Sequence, residues 1–127
     1  TRPEVWAQLD AILQNPYKAD DDLDRKILCA AIDSGFNSHV VYQYAKERRA
    51  LGVIAVKGMS TKGKPPLGKP TQVDVSAKGR SIKKGAQMYP VGTDTVKSLL
   101  FARLKHNDPG PGYLHFTPLP PWTTWRS

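Results

Sequence analysis

Apolar residues recur along this chain with two different periods, and the switches between them mark out its elements. Val5, Leu9, Ile12 and Leu13, with Trp6 beside them, follow the spacing of a helix that packs on one side. Pro3 and Glu4 suit its first turn, where a missing N–H costs nothing and a carboxylate meets the positive end of the dipole, and Asn15-Pro16 stops it. The run from Lys26 through Ile27-Leu28-Cys29-Ala30-Ala31-Ile32 is continuously apolar after its first residue, which predicts a strand buried on both faces with Asp33 at its C-terminal end. A second helix follows, with Ser38 as its N-cap, Val40, Val41, Tyr44 and Ala45 on the buried face, and Lys46 to Arg49 in its last turn. Gly52-Val53-Ile54-Ala55-Val56-Lys57-Gly58 reads as another strand. Strand, helix, strand in that order predicts a right-handed crossover and parallel pairing, which brings Lys57 to the strand end near Asp33.

The pattern then lapses. Residues 59–86 show no core periodicity over about 28 residues, longer than a passive connection in a compact domain, and are predicted as an extended, accessible loop. Gln87 to Gly92 is a third short extended segment, where Pro90 implies a sheet edge or a strand end. Thr93 or Asp94 can cap an amphipathic helix through Val96, Leu99, Leu100, Ala102, Arg103 and Leu104 to about His106. Pro109-Gly110-Pro111-Gly112 is a turn, Tyr113 to Phe116 alternates as a short strand, and the Pro- and Trp-containing stretch 117–127 is expected to be a loosely ordered tail.

With 127 residues, the chain has the length of one domain, and because it opens on Thr1 it is expected to be a piece of a longer protein. Cys29, the single cysteine, is expected to be buried and cannot form an internal disulfide, which suits a reducing compartment. No stretch has the length of a membrane span, so no membrane partner is expected. The net charge of +8 is uneven: residues 1–50 hold eight acids and seven bases, residues 51–127 three acids and twelve bases. A polyanion is the expected partner of the second part. Within 59–86 the bases are Lys62, Lys64, Lys69, Lys78, Arg80, Lys83 and Lys84 against one acid, Asp74. They predict contact with the phosphates of double-stranded DNA, without aromatic residues to stack on unpaired bases.

Asp33 carries the candidate chemistry, because strand ends are where open α/β sheets hold ligands. It admits two readings: a turn residue whose carboxylate caps nearby N–H groups, or a ligand of Mg²⁺ or Mn²⁺. Asp94 likewise is either a helix cap or a group near a phosphate or metal site. The acidic stretch Lys18 to Asp24 lacks the glycine and terminal glutamate of a calcium loop and reads as a solvated connection. His115 has no partner at metal-ligand spacing and reads as structural.

The series Pro3-Glu4-Val5-Trp6, Ile32-Asp33-Ser34-Gly35, Ile54-Ala55-Val56-Lys57-Gly58, Val91-Gly92-Thr93-Asp94-Thr95-Val96-Lys97 and Pro109-Gly110-Pro111-Gly112-Tyr113-Leu114-His115-Phe116 resembles, in order, the nuclease domain of lambda-type phage terminase large subunits. The resemblance spans residues 3–116. It implies an α/β fold with a ribonuclease H-like mixed sheet and flanking helices, incomplete in this chain. It also implies a two-metal DNA endonuclease using Mg²⁺ or Mn²⁺, working in the bacterial host cytoplasm with the ATPase domain of the same large subunit, the terminase small subunit and the portal. Asp33 matches the family's second acidic ligand. The family's first acid precedes the residue matched by Thr1 and its last follows Phe116, so this segment is expected to be silent alone. Two rivals are a DNA-binding module without catalysis and a flavodoxin-like domain for a phosphorylated ligand; the latter lacks a glycine-rich loop at Asp33-Ser34-Gly35-Phe36.

Overall fold

A four-stranded mixed sheet with one broad helix across it organises the computed structural model, which describes residues 3–77 and 79–116. Its strands are β3 (Ala30–Asp33), β4 (Val53–Met59), β5 (Thr71–Ala77) and β6 (Arg80–Gly92), in the order β3-β4-β6-β5. β3 and β6 both run parallel to β4, and β5 returns antiparallel beside β6. The helices are α1 (Pro3–Gln14), α2 (Ser38–Glu47) and α3 (Thr93–Leu104), and a small hairpin of β1 (Tyr17–Lys18) and β2 (Asp24–Arg25) follows α1. The expected strand–helix–strand crossover with parallel pairing is present.

The core lies between α2 and one face of the sheet. Side chains alternate across a strand, so Ala30 and Ile32 of β3, Val53 and Ala55 of β4, and Ala86 and Met88 of β6 turn to the same side as Val41, Tyr44 and Ala45 of α2. Val75 of β5 is completely buried there. β3 is an edge strand with one covered face, which corrects the expectation of a strand buried on both. The ladder begins only at Ala30, opposite Val53; Leu28 is 87% exposed and Cys29 is exposed as well. The chain passes the Leu28 carbonyl so closely that a Cβ on Gly52, which sits at φ +78°, would overlap it.

α1 reaches the core mainly through α2. The rings of Trp6 and Tyr44 lie 4.5 Å apart, and the Arg48 guanidinium stands 3.9 Å over the Tyr44 ring. Asp10 accepts hydrogen bonds from the Tyr44 hydroxyl at 2.7 Å and from Arg48, whose Nη2 lies at 2.6 Å from Oδ2. The acidic connection expected at 18–24 is indeed exposed, though folded back as the β1–β2 hairpin.

The largest departure from the sequence reading is the segment 59–86. β5 and the first part of β6 form an antiparallel hairpin there, pairing Val73 with Ala86 and Val75 with Ile82. Between those pairs one residue of β5, Asp74, faces three of β6, Lys83 to Gly85, and this bulge is held by the Lys84 N–H donating to Asp74 Oδ1 at 2.8 Å. β6 is an inner strand, so Pro90 is not on an edge; it lies near the strand's end at Gly92, the other alternative. The Pro90 carbonyl accepts the Gly68 N–H on the β5 side, beyond the last β5 pair at Met88. Since a residue's N–H and C=O point the same way in a strand, the missing donor faces that side and costs no bond with β4.

Two further expectations fail. Tyr113 to Phe116 forms no strand, and Phe116 is exposed, while Tyr113 and His115 meet edge to face at 4.7 Å. α3 has no buried residue despite its apolar content. Lys78 and the tail 117–127 lie outside the described residues.

Candidate active site at the strand ends

Asp33 stands at the C-terminal end of β3 with its side chain exposed. Its Oδ1 accepts the Gly35 N–H at 2.9 Å, the bond the turn reading required. The carboxylate remains open to solvent, so that bond and a cation are compatible. The backbone beneath it is fixed by Ser34, 1% exposed, whose N–H and hydroxyl both donate to the Val56 carbonyl, at 2.8 and 2.9 Å. The sequence reading overlooked Ser34. A small hydroxyl residue directly after a strand-end aspartate was its signal.

Lys57 is exposed at the same edge of the sheet, but register separates it from Asp33. Asp33 pairs with Val56, and Val56 with Tyr89, so these three share one face. Lys57 pairs with Pro90 and, one residue on, projects from the other face with Ala55. Sequence spacing brings Lys57 to the strand end; the pleat keeps it off the face of Asp33.

Asp94 lies in the first turn of α3, beyond the end of β6, with β4 between it and Asp33 in the sheet. It does not cap the helix: the N-cap is Gly92, with no side-chain bond. Neither does Thr93, whose hydroxyl donates to Met59 O at 2.9 Å, while that of Thr95 donates to Lys64 O at 2.5 Å. Gly92 donates its N–H to Pro65 O at 3.1 Å, and a Cβ there would overlap the carbonyls of Lys64 and Pro65. The stretch after β4 is therefore strapped over the start of α3.

That strap divides the predicted DNA-contacting bases into two groups. Lys62, Lys64 and Lys69 precede β5 and lie toward the strand-end edge, whereas Arg80, Lys83 and Lys84 sit at the far end of the hairpin. Every one of these six is exposed or half-buried, so none is withheld from a polyanion by burial. Among the described residues no group of three or more His, Cys, Asp or Glu is placed to hold a metal ion. Asp33 fits a divalent cation as one oxygen donor of a larger set, since hard cations take carboxylate oxygen together with water and phosphate.

A family model described as the terminase large subunit gpA endonuclease domain matches residues 1–125. The chain is 34% identical over 109 residues to the terminase large subunit of Enterobacteria phage P21, covering 85% of this chain and 16% of that protein. It is 26% identical over 118 residues to the terminase large subunit of Escherichia phage lambda, covering 89% of this chain and 17% of that protein. The chain thus spans about one sixth of the length of the relatives it matches. No solved structure matches it.

Proposed function

The chain belongs to the family of terminase large subunit gpA endonuclease domains, and from that premise we propose that it forms the middle of a ribonuclease H-like, metal-dependent endonuclease domain acting on duplex DNA during phage packaging. The observation that carries this reading is the position of Asp33, at the C-terminal end of a parallel strand within a segment matched almost throughout by the family model. Residues 1–116 are the domain segment in this reading, and the partners are the ATPase domain of the same large subunit, the small subunit and the portal, in the host cytoplasm. No helix among the described residues is long and apolar enough to cross a membrane.

Asp33 is the residue of this segment that would hold Mg²⁺ or Mn²⁺. When bound, such ions supply an activated water and neutralise charge on the leaving oxygen of a phosphodiester. The protein's own contribution is positional. Ser34 pins the strand end, the Asp33–Gly35 bond orients the carboxylate, and Lys62, Lys64 and Lys69 attract the DNA backbone toward the same edge. Asp94 and Lys57 serve at the periphery, Lys57 from the opposite face.

The test uses a large subunit that contains this segment. Asp33→Asn should abolish Mn²⁺-dependent nicking of supercoiled plasmid while leaving duplex binding intact, because the amide keeps the size and loses the charge. Wild-type nicking by the Asn protein would reduce Asp33 to a turn residue. The isolated chain should bind duplex DNA without cutting it, and its log affinity should fall with log salt by nearly one unit for each phosphate touched.

A further inference from the structure

The sheet contains a split that the proposed cleavage does not use. β4 starts at Val53, but its ladder with β6 begins only at the pair Ala55–Met88, so upstream of that pair the two strands part. A cavity of about 210 Å³ opens in the gap, floored by Val53, Ile54, Ala55 and Ala86. Its charged lining comes from three separate elements. Lys46 belongs to the last turn of α2, Arg49 to the 3-10 turn that follows it, and Lys84 to the β6 bulge; Gln87 adds an amide group, the Gln72 amide donates to the Ala86 and Lys84 carbonyls, and no carboxylate lines the cavity.

Three cationic residues thus line one cavity. Lys84 holds a left-handed backbone conformation, φ +53°, because Asp74 grips its N–H across the bulge. Asp74 keeps its charge there, on the neighbouring strand and outside the cavity lining, so the three cations exceed it in number. The C-terminal end of α2 also faces this region, and its dipole disfavours an anion, an effect of partial charge that three full cations outweigh. The cavity is smaller than the roughly 300–1,000 Å³ of sites for drug-sized ligands, which suits a phosphate and part of its sugar better than a whole nucleotide.

We propose that this cleft binds a backbone phosphate of DNA, at a contact separate from the carboxylate edge. It is lined from both faces of the sheet, by Val53, Ala55 and Ala86 on the side that α2 covers and by Ile54, Gln87 and Tyr89 on the side of Asp33. Asp33 itself lies on β3, across β4 from the gap and outside the lining, so the phosphate held here is not the one cleaved. The proposal rests on the reading of this domain as a DNA-binding one and adds to it where a second part of the duplex is held.

Titration of the ¹⁵N-labelled chain with a duplex oligonucleotide at low salt tests it by the backbone amide resonances. The expected result is movement of Val53, Ile54, Gly85 and Gln87 together with residues of the strap at 62–69. In Lys46→Gln, Arg49→Gln, Lys84→Asn, where Asn tolerates the left-handed backbone, the cleft resonances should stay still and the salt slope should fall by about 2–3 units, nearly one per lost cation. Movement of the strap alone in the wild-type chain overturns the cleft and leaves DNA binding standing. Movement of neither set removes DNA binding, and the cleft with it. Inorganic phosphate shifting the cleft resonances where the duplex does not would make it a free-anion site and also overturn the proposal.

Discussion

Two helices leave the C-terminal ends of parallel strands in this fold: α2 follows β3 and α3 follows β6. By composition α3 is the better candidate for burial, with Val96, Leu99, Leu100, Phe101 and Leu104 within twelve residues. Yet α2 buries Val41, Tyr42, Tyr44 and Ala45, and α3 buries nothing, its Phe101 standing 62% exposed. Connectivity accounts for the difference. The chain after α2 must return to the start of β4, parallel to β3, and that crossover lays the helix across the sheet. After α3 comes the turn at 109–112, with no further strand among the described residues to draw the helix back. The burial of α2 follows from where β4 begins more than from how apolar the helix is.

The sharpest way to break this contrast is to remove the centre of α2. Tyr44→Ala deletes the ring that meets Trp6 and Arg48 and the hydroxyl bonded to Asp10, and should cost about 3–5 kcal/mol by chemical denaturation. A loss under about 1 kcal/mol would mean that α2 is not what holds the sheet. Next in size, Gly92→Ala should cost about 1–3 kcal/mol, because the new methyl group overlaps the strap carbonyls at the start of α3. An unchanged stability would show the strap to be loose.

A smaller effect separates the helices by pH. Burial, and then the hydrogen bond to the Asp10 carboxylate, push the Tyr44 hydroxyl up to about 12 from an ordinary value of 10.0. Since the folded state favours the protonated form, this part of the stability is complete below pH 10 and is lost as pH rises toward 12. Tyr44→Phe should flatten that alkaline limb, and absorbance near 295 nm should lose its latest-titrating tyrosine. Asp10 behaves oppositely: its bonds from Arg48 and Tyr44 lower its pKa below the ordinary 3.8, so its contribution is present above that value and lost as pH falls through the lowered one. The smallest effect belongs to α3. Phe101→Ala should change stability by no more than about 0.5 kcal/mol, as for an exposed position; a loss comparable to that of Tyr44→Ala would erase the contrast.

What could be read in advance follows the same division. α1 between Pro3 and Pro16, most of the buried face of α2, the β4 strand and its parallel partner announced themselves through local periodicity and punctuation; on α2 the structure buries Tyr42 and leaves the expected Val40 half-buried. The apolar run at Ile27 to Cys29 misled because length and hydrophobicity do not reveal that a strand lies on an edge. In Thr71 to Ala77 the alternation of Val73 and Val75 was present, but surrounding lysines, glycines and prolines drew attention to charge and concealed a hairpin whose Val75 is fully buried. For the candidate site, the place of Asp33 at a strand end was legible from Ile32-Asp33-Ser34-Gly35. The face taken by Lys57 was not, since it depends on register between strands, and the group Lys46, Arg49 and Lys84 was not, since its members lie on separate elements.

The attachment of α1 has a consequence in time. Its contacts run chiefly through side chains of α2, Tyr44 and Arg48 above all, and none of its own residues is buried. Such a helix can peel away while the β4–β6 ladder stays closed, so opening of α1 and unfolding of the sheet are separate events with separate free energies. In deuterated buffer the amides of α1 should exchange through that first, shallow opening. Those of Ala55 and Met88 wait for the second. The slowing of the α1 amides relative to unprotected ones gives the free energy with which one aspartate, one arginine, two aromatic rings and the side chains of Leu9 and Leu13 keep the first helix in place.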